Sequence, residues 1–187
     1  MNPYPTREVE ITDYRYLTPL HLMRGVNAPK SRKERDALYI LSKDFSIEWT
    51  DEAQNRHIIT APRGMVTDLT SSPVHSVVSP TGPWLEAAII HDYLYIAWEA
   101  MDGYEPTKRD RQFADKMLLK GCEAANVGWI KRRIIWAAVR AGGWKPFYEK
   151  DGVSFLNSDQ FNAILDVTHT GKIGDGPVPD FLLQQRN

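Results

Sequence analysis

The segment WLEAAIIHDYLYIAWEAM, residues 84–101, decides how the rest of the chain is read. It is apolar nearly throughout. Pro83 ahead of it suits the first turn of a helix, and the turn-rich MDGYEP behind it ends one, so a helix is predicted over 83–100. A helix this apolar belongs in the centre of a domain, packed by a sheet and by neighbouring helices. Yet it carries adjacent His91 and Asp92. A buried imidazole beside a carboxylate is costly unless both find partners. Ala87, Ala88, His91 and Tyr95 share one face at helical spacing, and Asp92 lies about 100° around from His91. The partners must therefore come from other elements.

Upstream, ALYIL and FSIEW begin a run with strand character, in which Phe45, Ile47 and Trp49 alternate. TDEAQNR is a turn, and HIITAP and GMVTDL read as further strand, so 37–69 is predicted to form a small antiparallel sheet. TDLTSSP, 67–73, leaves the sheet as a shaped loop of short polar side chains. Residues 1–35 read as irregular or partly helical, with SRKERD, 31–36, a solvated charge run. Downstream, TKRDRQFADKMLLKGCEAA is a second helix with Thr107 as N-cap, and Phe113, Met117 and Leu118 keep its apolar spacing. GWIKRRIIWAAVRAGG is a third, closed by Gly142-Gly143. The stretch 145–167 suggests one short element, and the Pro- and Gly-rich remainder an extended tail. The expected class is α+β, a small antiparallel sheet followed by three core helices with irregular terminal extensions. It divides into an N-terminal extension 1–36, a core 37–145 and a C-terminal extension 146–187.

The totals restrict the function classes. The chain has 187 residues, 42% hydrophobic and 25% charged, and a formal net charge of −1. That is a globular composition, with no whole-chain argument for nucleic acid. The longest apolar stretch is broken by Glu86, His91, Asp92 and Glu99, so no membrane span is expected. MNPYPTREVEITDYRYL has no apolar core of a secretory signal. The single cysteine, Cys122, excludes an intrachain disulfide and a four-cysteine zinc site, and reads as a small buried residue. Lys131-Arg132-Arg133 reads as the solvated face of an amphipathic helix, with a phosphate-binding edge as the alternative.

Candidate partners for the His-Asp pair are few. Asp68 opens the TDLTSSP loop, which also carries Ser71. Asp115 lies on the apolar side of the second helix, with Arg111 one turn earlier. Asp68, His91, Asp92 and Asp115 together form an oxygen-plus-imidazole set suited to one divalent ion, zinc, manganese or iron. Such an ion would supply a hydroxide or polarise a carbonyl or phosphoryl oxygen. The same residues also admit a purely structural reading. In that reading Asp68 caps a turn, Asp115 pairs with Arg111 at (i, i+4), and His91 donates to Asp68. A Ser71–His91–Asp68 triad can also be written, but HExxH, P-loop and GxSxG signatures are all missing.

Four motifs occur in an order that resembles the phage-associated domain of unknown function DUF1353. These are GMVTDLTSSP, then TGPWLEAAIIHDYLY, then RQFADKML, then WAAVRAGG, spanning about residues 37–143. Gly64, Thr67, Asp68, Ser71 and Pro73 match the first motif, and His91, Asp92, Leu94 and Tyr95 the second. Arg111, Ala114 and Asp115 match the third, and Val139, Arg140 and Gly142 or Gly143 the fourth. Met65 stands where the family has Phe, and Thr70 and Ser72 replace Ala and Val. The resemblance implies a phage or prophage setting and a shared polar centre.

The expectation is therefore a phage-encoded virion component of tail or baseplate, performing metal-dependent hydrolysis with peptidoglycan as substrate. His91 and the aspartates would hold the ion, Asp68 or Asp92 would act as base, and Ser71 would orient the substrate. The alternative is a non-enzymatic adaptor whose terminal extensions bind neighbouring virion subunits. The expected partners are other virion proteins and the host cell wall, and the expected location is the virion or the host cytoplasm.

Overall fold

The computed structural model describes residues 2–24, 39–67, 82–148 and 154–169. Leu85–Ile96 forms helix α1, and a 3-10 turn over Ala97–Ala100 extends it. Its side chains are buried around most of its circumference, Ile89, Ile90 and Leu94 completely. One flank meets a sheet of three antiparallel strands, β1 (Ile11–Tyr16), β4 (Phe45–Asp51) and β5 (Arg56–Ala61), in the order β1-β4-β5. β4 and β5 are a hairpin. The Asp51 carboxylate makes the turn by accepting from the Ala53 and Asn55 amides and the Asn55 side chain. The alternation read in β4 places Phe45, Ile47 and Trp49 against α1 and α2 (Lys108–Ala124), where Phe113, Ala114 and Met117 complete the main core.

β1 falls where irregular or helical structure was expected. Its register against β4 shifts between Ile11 and Asp13. That bulge breaks the two-residue period, so buried Ile11 and Tyr14 are three apart and the strand pattern is hidden. The predicted single sheet is in fact two. β2 (Leu22–Arg24), β3 (Tyr39–Leu41) and β6 (Val66–Thr67) form a second antiparallel sheet, in the order β2-β3-β6.

Helix α2 starts where the sequence placed it. The Thr107 hydroxyl accepts from the Asp110 amide, and the Asp110 carboxylate accepts from the Thr107 amide, a reciprocal capping box. Gly121 lets α2 approach α1 closely, since a Cβ there would lie 2.7 Å from that of Ala87. Helix α3 (Trp129–Gly142) packs Ile135 and Val139 onto Trp84, Ala87, Leu118 and Cys122 in a second cluster.

The expected single element after 145 is two helices, α4 (Trp144–Tyr148) and α5 (Ser158–His169). Between them the chain pairs with the end of the second sheet. Val66 donates to the Ser154 carbonyl, and Leu156 donates to the carbonyl of Gly64, whose φ of 83° favours glycine. Phe161 of α5 then covers Ile40, Val66 and Leu156. The class is α+β, as the sequence indicated, with a small antiparallel β-structure and three principal helices. Among the described residues no helix is long and apolar enough to cross a membrane. The SRKERD run and the tail from 170 lie outside the described residues.

Candidate functional site at His91

His91 faces from α1 toward α2, and its ring is buried. Nε2 lies 3.1 Å from Asp115 Oδ1. Asp115 is completely buried on α2. The Tyr95 hydroxyl, one turn after His91, donates to Oδ1 at 2.7 Å. Arg140 Nη1 from α3 donates to Oδ2 at 3.4 Å, and Arg111 Nη1 is 3.9 Å from the same oxygen. Arg111 also donates to the Arg140 carbonyl at 3.3 Å, which ties the last turns of α3 to α2. A lone buried charge would cost several kcal/mol, but here two guanidinium groups, a phenol and an imidazole compensate it. The Tyr95 phenol stays protonated, because burial, reinforced by the Asp115 charge, drives its pKa well upward. Its ring also stands edge-on to the imidazole, with centroids 4.1 Å apart.

The other edge of the imidazole faces outward. Nδ1 is 3.7 Å from Asp92 Oδ1, and the Asp92 side chain is 35% exposed. Asp92 Oδ2 accepts from the Thr67 hydroxyl at 2.7 Å. Thr67 immediately precedes Asp68 in the chain. Burial pulls the His91 pKa down. Hydrogen bonding with Asp115 and Asp92 and the charges of both outweigh that, so the net shift is upward.

Of the five residues expected at the site, the structure brings His91, Asp92 and Asp115 together. Asp68 and Ser71 lie outside the described residues. Among the described residues no group of three or more His, Cys, Asp or Glu side chains is placed to hold an ion. The chemistry of the donors agrees. Asp115 already accepts from a phenol and a guanidinium, with a second guanidinium nearby, surroundings that disfavour a further cation. The four-donor metal set therefore does not fit Asp115, whose place is behind the imidazole as an anchor. Asp115 does pair with Arg111, as the longer of two guanidinium contacts, and the expected donation from His91 to Asp68 lies outside the described residues.

Sequence reasoning gave no role to Tyr95, Thr67 or Arg140. Tyr95 had a local signal, being four residues after His91 on the same face. Arg140 had only its place in the WAAVRAGG motif, since the packing of α3 on α2 is what brings it to Asp115.

The family model described as a protein of unknown function (DUF1353) matches residues 41–139, more than half of the chain. The chain belongs to the DUF1353 family. The matched span runs from the end of β3 into α3 and contains His91, Asp92, Tyr95, Arg111 and Asp115. Comparison with curated proteins and with solved structures returns no match.

Proposed function

We propose that this DUF1353 protein is a phage-encoded hydrolase of the virion, that His91 moves the proton in its reaction, and that peptidoglycan is its substrate. The observation that carries the reading is the polarity of the imidazole. A buried, fully compensated carboxylate takes Nε2, while Nδ1 faces a partly exposed carboxylate. Asp115 accepts a hydrogen bond from Nε2–H, which keeps the proton on Nε2 and leaves Nδ1 as the exchanging nitrogen. Neutral His91 takes a proton at Nδ1 from an attacking water. The imidazolium so formed lies between two carboxylates, which stabilise it until the proton passes to the leaving group. Asp92, held at Oδ2 by Thr67, keeps Oδ1 for orienting that water. Asp68 and Ser71 would contact substrate from the following loop. No step is routed through a metal. The phage setting and the cell-wall substrate rest on the resemblance stated above and on what a tail enzyme must cross.

The test is release of soluble fragments from purified sacculi by the full chain. His91→Gln is expected to lower release by about 10²–10⁴-fold while the protein remains folded. Undiminished release by that variant, or none by the wild type, would overturn the reading. Stoichiometric metal in the purified protein, with release lost on chelation, would return an ion to the centre.

The completeness of the Asp115 network favours a second reading, in which the centre only pins α1, α2 and α3 together in a virion adaptor. His91→Gln would then destabilise the protein with no turnover to lose. Deleting residues 175–187 would block particle assembly, and normal infectious particles from that deletion would count against this reading.

A further inference from the structure

Helix α3 is inverted. Ile135 and Val139 point into the protein, as the buried side requires. At 100° per residue the diametrically opposite side carries Ile130, Arg133, Ile134, Ala137 and Ala141, with Trp129 at its edge. A solvent-facing side is normally polar. This one leaves Trp129 67%, Ile130 59% and Ile134 44% exposed. The charge of the helix is equally one-sided. Lys131, Arg132, Arg133 and Arg140 are its only charged residues, in a chain whose net charge is −1. Lys131 Nζ stands 4.0 Å over the ring of Trp84, on the flank of α3 that meets the core. Arg132 reaches Glu123, and Arg140 reaches Asp115. Arg133, in the middle of the apolar side, has no ion-pair partner among the described residues.

We infer that the outer side of α3 is a docking surface for an anionic lipid bilayer. Aliphatic side chains and a tryptophan around Arg133, on a helix whose charged residues are all cationic, match the acyl–headgroup boundary of an anionic bilayer. There Ile130 and Ile134 enter the acyl region, and the Arg133 stem lies along it with its guanidinium at the phosphates. A second copy of the chain fits less well, because facing α3 helices would place Arg133 against cationic α3. Nucleic acid fits less well too, since its phosphates offer nothing to Ile130, Ile134 and Ala137. The apolar side is the outside of a single helix, and a bilayer needs no shape complement. The inference is independent of the chemistry proposed at His91.

The test is flotation of the full chain with vesicles of equimolar phosphatidylglycerol and phosphatidylcholine, compared with phosphatidylcholine alone. The protein is expected to float with the anionic vesicles and less so at high salt. Ile130→Ser combined with Ile134→Ser, and separately Arg133→Glu, are expected to lower partitioning by at least about tenfold. Their thermal midpoints should stay near the wild type, because these side chains point away from the core. Failure to float, equal flotation with neutral vesicles, or wild-type partitioning by the double serine variant would overturn the inference. So would sedimentation showing a dimer that the same substitutions dissolve, which would make this side a protein interface.

Discussion

Gly143 and Tyr95 are locked to one another across α3 and α1. A Cβ at position 143 would stand 2.4 Å from the Tyr95 hydroxyl oxygen and 2.6 Å from the Val139 carbonyl. The backbone at Gly143 has φ −81°, which any residue adopts. Glycine is required there for space. The sequence placed a helix stop at this position, and the structure shows that the missing side chain also lets the phenol reach Asp115.

Gly143→Ala should therefore act on the polar centre. Overpacking of this kind costs about 1–3 kcal/mol, and displacement of the phenol removes a donor from a buried carboxylate. Urea unfolding of Gly143→Ala, Tyr95→Phe and the double variant is the measurement. The double variant should lose clearly less than the two single losses added, because both break one contact. Strict additivity would show that Gly143 does not support Tyr95.

Asp115→Asn should be strongly destabilising. It removes the charge that compensates Arg111 and Arg140 and leaves their guanidinium groups without a carboxylate among the described residues. Breaking a buried pair from one side costs about 3–5 kcal/mol. A loss under about 1 kcal/mol in urea titrations would mean that water already screens these charges.

Stability should fall as pH rises through the neutral range. The folded-state pKa of His91 lies above its ordinary value, because Asp115 and Asp92 outweigh burial. The stabilisation is fully present below the unfolded pKa of about 6.5 and is lost as pH rises through the raised folded value. Around His91 stand Asp92 and Tyr95 from α1, Arg111 and Asp115 from α2 and Arg140 from α3. His91→Gln should flatten the slope of the urea midpoint against pH above 6.5. An identical slope in the variant would assign the dependence to another group.

Cys122 should be inert in the folded protein. Burial pushes its thiol pKa up to about 12, so almost no thiolate exists at neutral pH. A disulfide reagent should label it only after denaturant is added. Rapid labelling of the native protein would show that the cluster between α2 and α3 opens.

By itself the sequence determined the three principal helices, the β4–β5 hairpin and the adjacency of His91 and Asp92. These are local. A 3.6-residue apolar period, the Thr107 N-cap and an alternating strand are written within a few residues of where they act. It also bounded the site, since an imidazole in so apolar a helix needs a carboxylate and Asp115 was among the candidates.

Only the tertiary structure decided which side of the imidazole each carboxylate takes. It also decided that Arg140, 25 positions from Asp115, completes the anchor, and that β1 joins β4 through a bulge. Those relations depend on the crossing of α1, α2 and α3 and on a register shift. They are set by packing over the whole core, and no local period records them.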